Sequence, residues 1–207
     1  MRLGILVSGR GSNLEAVLDA VADGRLSAVE PILVIGNRPG IRALEVAARR
    51  GVPWRLMPVA SFADGQARDA AVGRALADAA CDHVLLAGYD EVLRPSYFAA
   101  FGGRTINIHP SLLPRHGGRG MIGAAVHAAV LAAGDAETGV TVHDVTPVLD
   151  AGRPIAQVRV GVLPGDTVAT LAERVLAVEH RTVVEVLAHL SASMTAASPA
   201  PIRARRS

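Results

Sequence analysis

The N-terminal half of the chain alternates short aliphatic runs with longer helical patterns, and this alternation constrains the fold more than any other feature. Strand-like runs lie near residues 2–8, 31–36, 53–58 and 83–88. Such a rhythm is typical of βαβ units, whose strands form a parallel sheet covered by helices. The sequence therefore predicts an α/β fold with a Rossmann-like, mostly parallel sheet flanked by helices.

The C-terminal half follows a different pattern. A strand at 104–108 leads into a loop rich in proline and glycine at 109–123, and a short alanine-rich helix follows. Two β-rich runs between 138 and 162 flank a turn at 147–153. Because alternating β-rich runs on either side of a turn favour hairpins, we expect an antiparallel strand pair added to the sheet.

The longest helix is predicted to begin after Leu163-Pro164-Gly165, with Asp166 as its N-cap. Its buried stripe is expected to consist of Leu171, Val175, Val178 and Val186. Residues 191–207 have neither helical period nor core-forming side chains, so they are predicted to be a disordered tail with a solvated basic end.

Composition excludes several classes of protein. The 207 residues, half of them hydrophobic, are enough for one well-buried domain or two small fused lobes. No apolar run approaches the roughly 18 residues that span a bilayer, and the N-terminus enters a glycine turn instead of a cleavage site. We therefore expect a cytoplasmic protein that neither enters a membrane nor binds nucleic acid.

The missing residue types also limit the chemistry. The chain contains no lysine, which excludes a Schiff-base lysine and a P-loop, since both require an ammonium at a fixed place. The single cysteine, Cys81, has no partner for an internal disulfide, and no Cys, His or carboxylate cluster has zinc-ligand spacing. The sequence predicts a metal-free site.

The first candidate site is the turn at residues 8–13, between a strand and a helix. Backbone N–H groups and the helix dipole favour a phosphate at such a turn. The dinucleotide fingerprint requires a third glycine where this chain has Leu14, so one phosphate fits better than two. A structural alternative is equally open, because Ser12 and Glu15 match a capping box.

The second candidate site is Asn107-Ile108-His109-Pro110, at the carboxyl end of a strand. Strand alternation places Asn107 and His109 on one face, where an amide and an imidazole can both donate hydrogen bonds to one developing oxyanion. The more ordinary alternative is a turn that these two side chains cap.

Two carboxylates complete the candidates. Asp150, between the two C-terminal β runs, is expected either to hold His109 charged or to relay a proton through water; the alternative is a simple turn aspartate. Glu179 lies beside the buried stripe of the last helix and therefore needs a partner. The candidate partners of Glu179 are ribose hydroxyls, an arginine or His180. Of the other histidines, His143 is expected near the site.

Four segments give the chain a resemblance to a known family, and it extends from residue 1 to about 190. They are SGRGSNLEA at 8–16, LLAGYDEVL at 85–93, INIHPSLLPR at 106–115, and VTVHDV paired with LDAGRPIAQ. With these motifs the chain resembles the phosphoribosylglycinamide formyltransferases, enzymes of the folate-dependent formyltransferase superfamily.

The resemblance implies a formyltransferase domain at 1–190, with a phosphate-binding half at about 1–100 and a catalytic and folate half at about 101–190. It implies formyl transfer from 10-formyltetrahydrofolate to the amine of 5-phosphoribosylglycinamide in purine synthesis. The implied site residues fall into three groups. Catalysis is assigned to Asn107, His109 and Asp150; substrate binding to Gly11, Ser12, Asn13 and Glu179; and folate binding to Asp90, Glu91, Val92, Leu93 and Asn107.

Two positions depart from the family pattern. Members commonly carry an apolar and then a basic residue where this chain has Asp90-Glu91, and an arginine where it has Asp64-Gly65. Arg68 is the candidate to replace that missing guanidinium.

Two other functions remain open at this stage. They are a sugar-nucleotide N-formyltransferase, which lacks the Gly-Ser-Asn turn, and a non-catalytic protein that binds a phosphate ligand on the same fold. Homodimerisation is also left open.

Overall fold

The computed structural model describes residues 1–197, and for 195–197 it describes the backbone alone. Strands and helices alternate along most of this part of the chain. The strands are β1 (Arg2–Val7), β2 (Glu30–Gly36), β3 (Trp54–Leu56), β4 (His83–Leu86), β5 (Arg104–His109), β6 (Glu137–Asp144) and β7 (Pro154–Gly161). The α-helices are α1 (Ser12–Ala22), α2 (Arg42–Arg49), α3 (Gly65–Asp78), α4 (Pro95–Ala100), α5 (Ala124–Ala132) and α6 (Val168–Ala197).

All of these strands join one sheet, in the order β3-β2-β1-β4-β5-β6-β7. The pairs from β3 to β5 are parallel, whereas β6 pairs with β5 and with β7 in antiparallel register. The mostly parallel sheet with an antiparallel addition is therefore confirmed. The strand predicted at 53–58 is shorter than expected, because Pro53 and Pro58 bound it and proline cannot donate to a strand ladder.

Helices cover both faces of the sheet and divide the hydrophobic core in two. On β1, Leu3, Ile5 and Val7 point into the core beneath α1, α2 and α6, while Leu6 points into the core beneath α3 and α4. This alternation follows from the period of two along a strand. Because β1 is central and buried on both faces, the position of its carboxyl end is fixed. The chain enters α1 from that end.

The long helix α6 begins one residue later than predicted. The Thr167 hydroxyl accepts a hydrogen bond from the Thr170 amide at 3.2 Å, so Thr167 is the N-cap and the assignment of Asp166 is wrong. The Asp166 carboxylate instead bonds to Arg174 and to the Leu163 amide. The predicted stripe of Leu171, Val175, Val178 and Val186 is buried, as expected.

The C-terminal boundary also differs from the expectation. Helix α6 continues to Ala197, so the prediction of a disordered tail is wrong for residues 191–197. Alanine has the highest helix propensity, and the Ser193 hydroxyl donates to the His189 carbonyl in the preceding turn, so the helix continues through this segment. Residues 198–207 lie outside the described part of the chain. Among the helices of residues 1–197, none combines the length and apolar character needed to cross a bilayer.

Candidate active site

A cleft of about 870 Å³ opens where β1, β4 and β5 end. In the sheet, β2 lies on one side of β1 and β4 on the other, so the direction in which strands are added reverses beside β1. Open α/β sheets bind ligands at such a topological switch point. Every predicted site residue lines the cleft: Gly11, Ser12, Asn13, Asp90, Glu91, Val92, Leu93, Asn107, His109, Asp150 and Glu179. The fold therefore brings together residues from both halves of the sequence.

The turn after β1 is built around Gly11. This residue is the N-cap of α1 with a φ of 77°, and a Cβ at this position would lie 2.8 Å from Ala43. Left-handed backbone and close packing both require glycine here. The first intrahelical bond runs from the Glu15 amide to the Gly11 carbonyl, so the preceding amides of α1 have no partner within the helix. Amides at the start of a helix are suited to bind an anion, and an anion site at this turn stays a prediction.

The capping-box alternative for this turn is wrong. Within the described part of the chain, no side-chain hydrogen bond caps the N-terminus of α1. Glu15 is instead held by the Arg42 guanidinium at 2.8 Å, because α2 passes beside α1 and brings that charge within reach. The turn thus keeps its amides for another partner.

Asn13 and Glu179 join the turn to helix α6. The Asn13 side-chain amide donates to Glu179 Oε1 at 3.4 Å, and both residues are buried. Burial raises the pKa of Glu179 to about 7, although the Asn13 hydrogen bond and the charge of Arg10 oppose the shift. Glu179 lines the cleft, and the side-chain oxygen of Asn13 beside it has no hydrogen-bond partner among residues 1–197. A ligand with hydroxyl groups would complete this buried polar pair.

Asn107 on β5 faces His143 on β6, its cross-strand partner in the register. The His143 Nδ1 donates to the Asp144 carbonyl at 2.9 Å, and burial lowers the pKa of the ring. The neutral ring therefore presents Nε2 as an acceptor, and the Asn107 amide donates to it at 3.1 Å. This contact fixes the Asn107 amide and leaves its second N–H for the cleft. The expectation that His143 lies near the site is confirmed.

His109 is buried at the end of β5, with 5% of its surface exposed. Its Nε2 donates to the backbone carbonyl of His116 at 2.9 Å. A carbonyl only accepts hydrogen bonds, so this contact places a proton on Nε2. Nδ1 is then the ring nitrogen without a hydrogen-bond partner in residues 1–197.

Asp150 occupies a turn with a left-handed backbone at a φ of 52°. Its Oδ2 accepts from the Gly118 amide at 2.7 Å, and its Oδ1 lies 3.8 Å from His143 Nε2. The described residues show no hydrogen bond or ion pair between Asp150 and His109, and the expectation that Asp150 holds His109 charged or relays a proton through water stays a prediction. The Gly118 amide, in the loop at 109–123, occupies one oxygen of the Asp150 carboxylate.

The segment Asp90–Leu93 lines the cleft, but its two carboxylates bond to other parts of the protein. Asp90 is held by Asn37 at 2.9 Å and by Arg38. Burial acts to raise the pKa of Asp90, and the hydrogen bonds from Asn37 and Ser8 with the Arg38 charge outweigh it, so the pKa is lowered. Glu91 lies 3.6 Å from the Arg68 guanidinium. Neither carboxylate enters the cleft as an unpaired charge.

Arg68 does not replace the missing guanidinium, because it is fully buried. It bonds to Asp69 at 2.7 Å and to the Tyr89 hydroxyl at 2.5 Å. Arg94, on the cleft wall, has the exposed guanidinium instead, with 40% of its side chain accessible. A Cβ at Gly65 would lie 2.5 Å from the Arg94 guanidinium carbon, so Gly65 leaves room for this arginine.

Sequence reasoning missed three further basic residues of the cleft, one of which is Arg119 in the loop at 109–123. Arg10, within the turn after β1, lies in the same wall as Glu179. His127 on α5 is 5% exposed and lines the cleft, and its buried Nδ1 has no hydrogen-bond partner among residues 1–197. Arg10 could have been predicted, because it is a cation within the turn that the sequence assigns to phosphate. His127 could not, because the alanine-rich sequence around it contains no motif.

The mouth of the cleft is apolar. Four exposed hydrophobic side chains surround it, and they come from three separate loops: Val92, Ile122, Val148 and Leu149. Exposed apolar groups around a concave polar site are typical of a pocket for a flat organic ligand. Within residues 1–197 no group of three or more His, Cys, Asp or Glu side chains is arranged to hold a metal ion.

The chain matches the family model for formyl transferases over residues 1–187. The glycinamide ribonucleotide transformylase 1 of Symbiobacterium toebii shares 39% identity and superimposes with a TM-score of 0.87, covering 93% of this chain and 88% of that one. The phosphoribosylglycinamide formyltransferase of Brucella melitensis shares 37% identity with a TM-score of 0.83, covering 92% and 95%.

A curated relative shows the same domain inside a longer protein. The trifunctional purine biosynthetic protein adenosine-3 of Drosophila pseudoobscura pseudoobscura is 38% identical over 191 residues, which are 92% of this chain and 14% of that protein. The chain thus spans a small part of the trifunctional relative. Matches over nearly the whole described fold, at this identity, confirm the resemblance that the motifs indicate. The chain belongs to the formyl transferase family, on its phosphoribosylglycinamide formyltransferase branch.

Proposed function

We propose that the protein transfers the formyl group of 10-formyltetrahydrofolate to the amine of 5-phosphoribosylglycinamide. One observation carries the proposal: the open amides after β1 and the polar groups Asn107, His109 and Asp150 line the same cleft. A phosphate anchor and an oxyanion site in one cleft suit a phosphorylated acceptor that presents an amine to an acyl donor.

The acceptor would be anchored at the turn after β1. Its phosphate would bind the free amides of Gly11, Ser12 and Asn13 at the positive end of α1, with Arg10 adding charge from the same wall. Its ribose hydroxyls would bond to Glu179, whose carboxyl group faces the turn through Asn13. Held in this way, the substrate amine points toward the end of β5.

The donor would enter through the apolar mouth. A flat pteridine would pack against Val92, Ile122, Val148 and Leu149, and polar backbone groups of Asp90–Leu93 would bond to its ring nitrogens. Arg94 is the exposed guanidinium on this wall for an acidic extension of the donor. The side chains of Asp90 and Glu91 take no direct part, because Asn37, Arg38 and Arg68 hold them.

The reaction would be a direct transfer. The substrate amine attacks the formyl carbon, a new N–C bond forms, and the carbonyl electron pair moves to oxygen. The second N–H of Asn107 and a proton on Nδ1 of cationic His109 would donate to that oxygen. Donors preorganised for an oxyanion contribute a large share of the rate in acyl transfers.

Collapse of the intermediate breaks the bond between the formyl carbon and N10 of the folate. One proton leaves the attacking amine and one reaches N10, so the transfer is balanced without a cofactor or a covalent enzyme intermediate. Asp150 would carry this proton through a water molecule, since Gly118 occupies one of its oxygens and His109 does not contact it. General acid–base groups of this kind contribute roughly 100- to 10,000-fold.

The proposal is tested by a turnover assay with 5-phosphoribosylglycinamide and 10-formyltetrahydrofolate, in which the formylated product is identified by mass. The dephosphorylated acceptor serves as the control, and it should react far more slowly at the same concentration. Equal rates with and without the phosphate would contradict the assignment of the turn. No turnover with either acceptor, but activity on an amino sugar nucleotide, would favour a sugar-nucleotide N-formyltransferase.

Binding of the phosphorylated acceptor without any turnover would indicate the non-catalytic alternative. The trio Asn107, His109 and Asp150 supports an enzyme, because a binding protein has no need of an oxyanion site. Small molecules are the expected partners. Cytoplasmic location, the absence of nucleic-acid partners and homodimerisation stay predictions.

A further inference from the structure

The orientation of His109 depends on a residue seven positions further along the chain. The imidazole is anchored through Nε2 to the backbone carbonyl of His116, at 2.9 Å. That single contact decides which ring nitrogen faces the cleft. Anything that rotates the peptide after His116 would therefore turn the imidazole or change its tautomer.

His116 holds its carbonyl in place with an unusual backbone. Its φ is 52°, in the left-handed region that a residue with a Cβ occupies at a cost. Such a conformation persists when surrounding contacts impose it. The Ser111 hydroxyl donates to the Arg115 carbonyl at 2.6 Å, which fixes the peptide before His116. The same hydroxyl also makes a longer contact to the His116 carbonyl oxygen, at 3.5 Å. The side chain of His116 supplies a further restraint.

That restraint is Asp135, which lies between α5 and β6. The His116 ring, through Nε2, bonds to Asp135 Oδ2 at 2.6 Å, and the Arg115 guanidinium bonds to Oδ1. The hydrogen bond from His116 and the charge of Arg115 hold the pKa of Asp135 below its usual value. Asp135 is therefore a permanent acceptor for two successive residues of the loop.

Asp135 itself does not line the cleft. Its side chain is 9% exposed and is bonded to Arg115 and His116 of the 109–123 loop. No residue of the proposed reaction contacts it. Its connection to the chemistry runs through the His116 ring, the His116 carbonyl and the His109 imidazole in turn.

We propose that Asp135 is a positioning residue of the transfer reaction, which fixes His116 so that its carbonyl holds His109 with Nδ1 toward the cleft. The inference rests on the proposed function of His109. The role is distinct from general stabilisation of the loop, because it predicts a change in the catalytic imidazole itself.

The first test compares Asp135→Ala with the wild-type protein. We expect kcat to fall about 10- to 100-fold, since displacement of a catalytic group by about 1 Å costs on that order. KM for both substrates should stay within about twofold, because the phosphate turn and the folate wall are untouched. Asp166→Ala is the matched control: it also removes an aspartate paired with an arginine outside the cleft, and it should leave kcat unchanged.

The second measurement follows His109 directly by long-range ¹H–¹⁵N correlation of its side chain. In the wild-type protein the neutral ring should carry its proton on Nε2, and in Asp135→Ala it should show a mixture of both tautomers. A purely structural role would lower thermal stability and leave the tautomer unchanged. Wild-type protein that fails to formylate the acceptor would refute the proposed function, while the tautomer measurement would still decide the positioning role.

The His116→Gly variant separates the effect of the backbone conformation from the effect of the His116 side chain. His116→Gly loses the contact to Asp135, but glycine adopts a positive φ readily and keeps the carbonyl. We expect His116→Gly to be more active than His116→Ala, and the double variant with Asp135→Ala to be no slower than His116→Gly. If Asp135→Ala is poorly folded, Asp135→Asn and this pair of variants decide the question. A kcat within twofold of wild type, with an unchanged His109 tautomer, would overturn the inference.

Discussion

The two ends of the cleft are built in different ways. The turn after β1 is local: Gly11, the free amides of α1 and the packing against Ala43 all follow from a short stretch of sequence and its neighbouring helix. The loop after β5 is assembled from distant pieces. His109 depends on His116, which depends on Asp135, and Asp150 reaches the same loop from the turn before β7.

The difference shows how binding and chemistry place different demands on a fold. An anion needs only a cluster of N–H groups with the right dipole, and a strand–turn–helix unit supplies it. An oxyanion site needs each donor within a few tenths of an ångström, which requires support from several elements. We therefore expect changes at the turn to alter acceptor binding, and changes in the loop to alter turnover.

The largest effect should come from His109→Ala. Removal of an oxyanion donor costs about 100- to 1,000-fold in kcat, while binding of the phosphorylated acceptor and the folding stability should change little. Steady-state kinetics and calorimetric titration of the acceptor check this expectation. His189→Ala, at an exposed position on α6, is the matched control. A near-normal rate in His109→Ala would remove the loop from the reaction.

Gly11→Val should give the next largest effect, confined to the acceptor. The new side chain meets Ala43, and a β-branched residue resists a φ of 77°, so the turn must move at a cost of about 1–3 kcal/mol. We expect kcat/KM for the phosphorylated acceptor to fall about 10- to 100-fold, with KM for the folate unchanged. Gly24→Val, at another positive φ with open space around it, controls for backbone strain alone. Equal weakening of both substrates would contradict the division of the cleft.

Glu179→Gln should alter both acceptor binding and the pH dependence of stability. Because burial raises the pKa of Glu179 from its ordinary value to about 7, the wild-type protein loses stability from this group as the pH rises from about 4.5 through 7. The loss is on the order of 3 kcal/mol, and the glutamine variant should lack it. Denaturant unfolding of both proteins at pH 5 and pH 8 measures the difference. Parallel pH profiles would show that Glu179 is ionised throughout.

The smallest effect is expected from Arg94→Gln, on the folate wall. Its guanidinium is partly exposed and contributes a screened interaction of about 0.2–1 kcal/mol, so KM for the folate should rise up to about fivefold. The acceptor KM should not change. Arg49→Gln, on the exposed side of α2, is the control. An unchanged folate KM at low salt, where such contacts are strongest, would exclude Arg94 from the donor site.

The sequence indicated the positions of the site residues but not their partners. Asn107 and His109 could be paired from the period of a strand, and Gly11 from its place between strand and helix. Their contacts could not, because His143 and the carbonyl of His116 come from segments that meet only after the sheet and its loops are formed. The same reason explains Arg68, whose burial against Asp69 and Tyr89 no local pattern reveals.

The βαβ alternation, the glycine turn after β1 and the family motifs can be recognised from the sequence, because hydrophobic period and turn chemistry are local properties. Only the folded structure shows which nitrogen of His109 faces the cleft, that the Asp90 and Glu91 carboxylates are already paired, and that Arg94 is partly exposed beside its partner Asp69. Those outcomes depend on distances between residues far apart in the chain. Packing sets these distances, and a linear pattern does not record them.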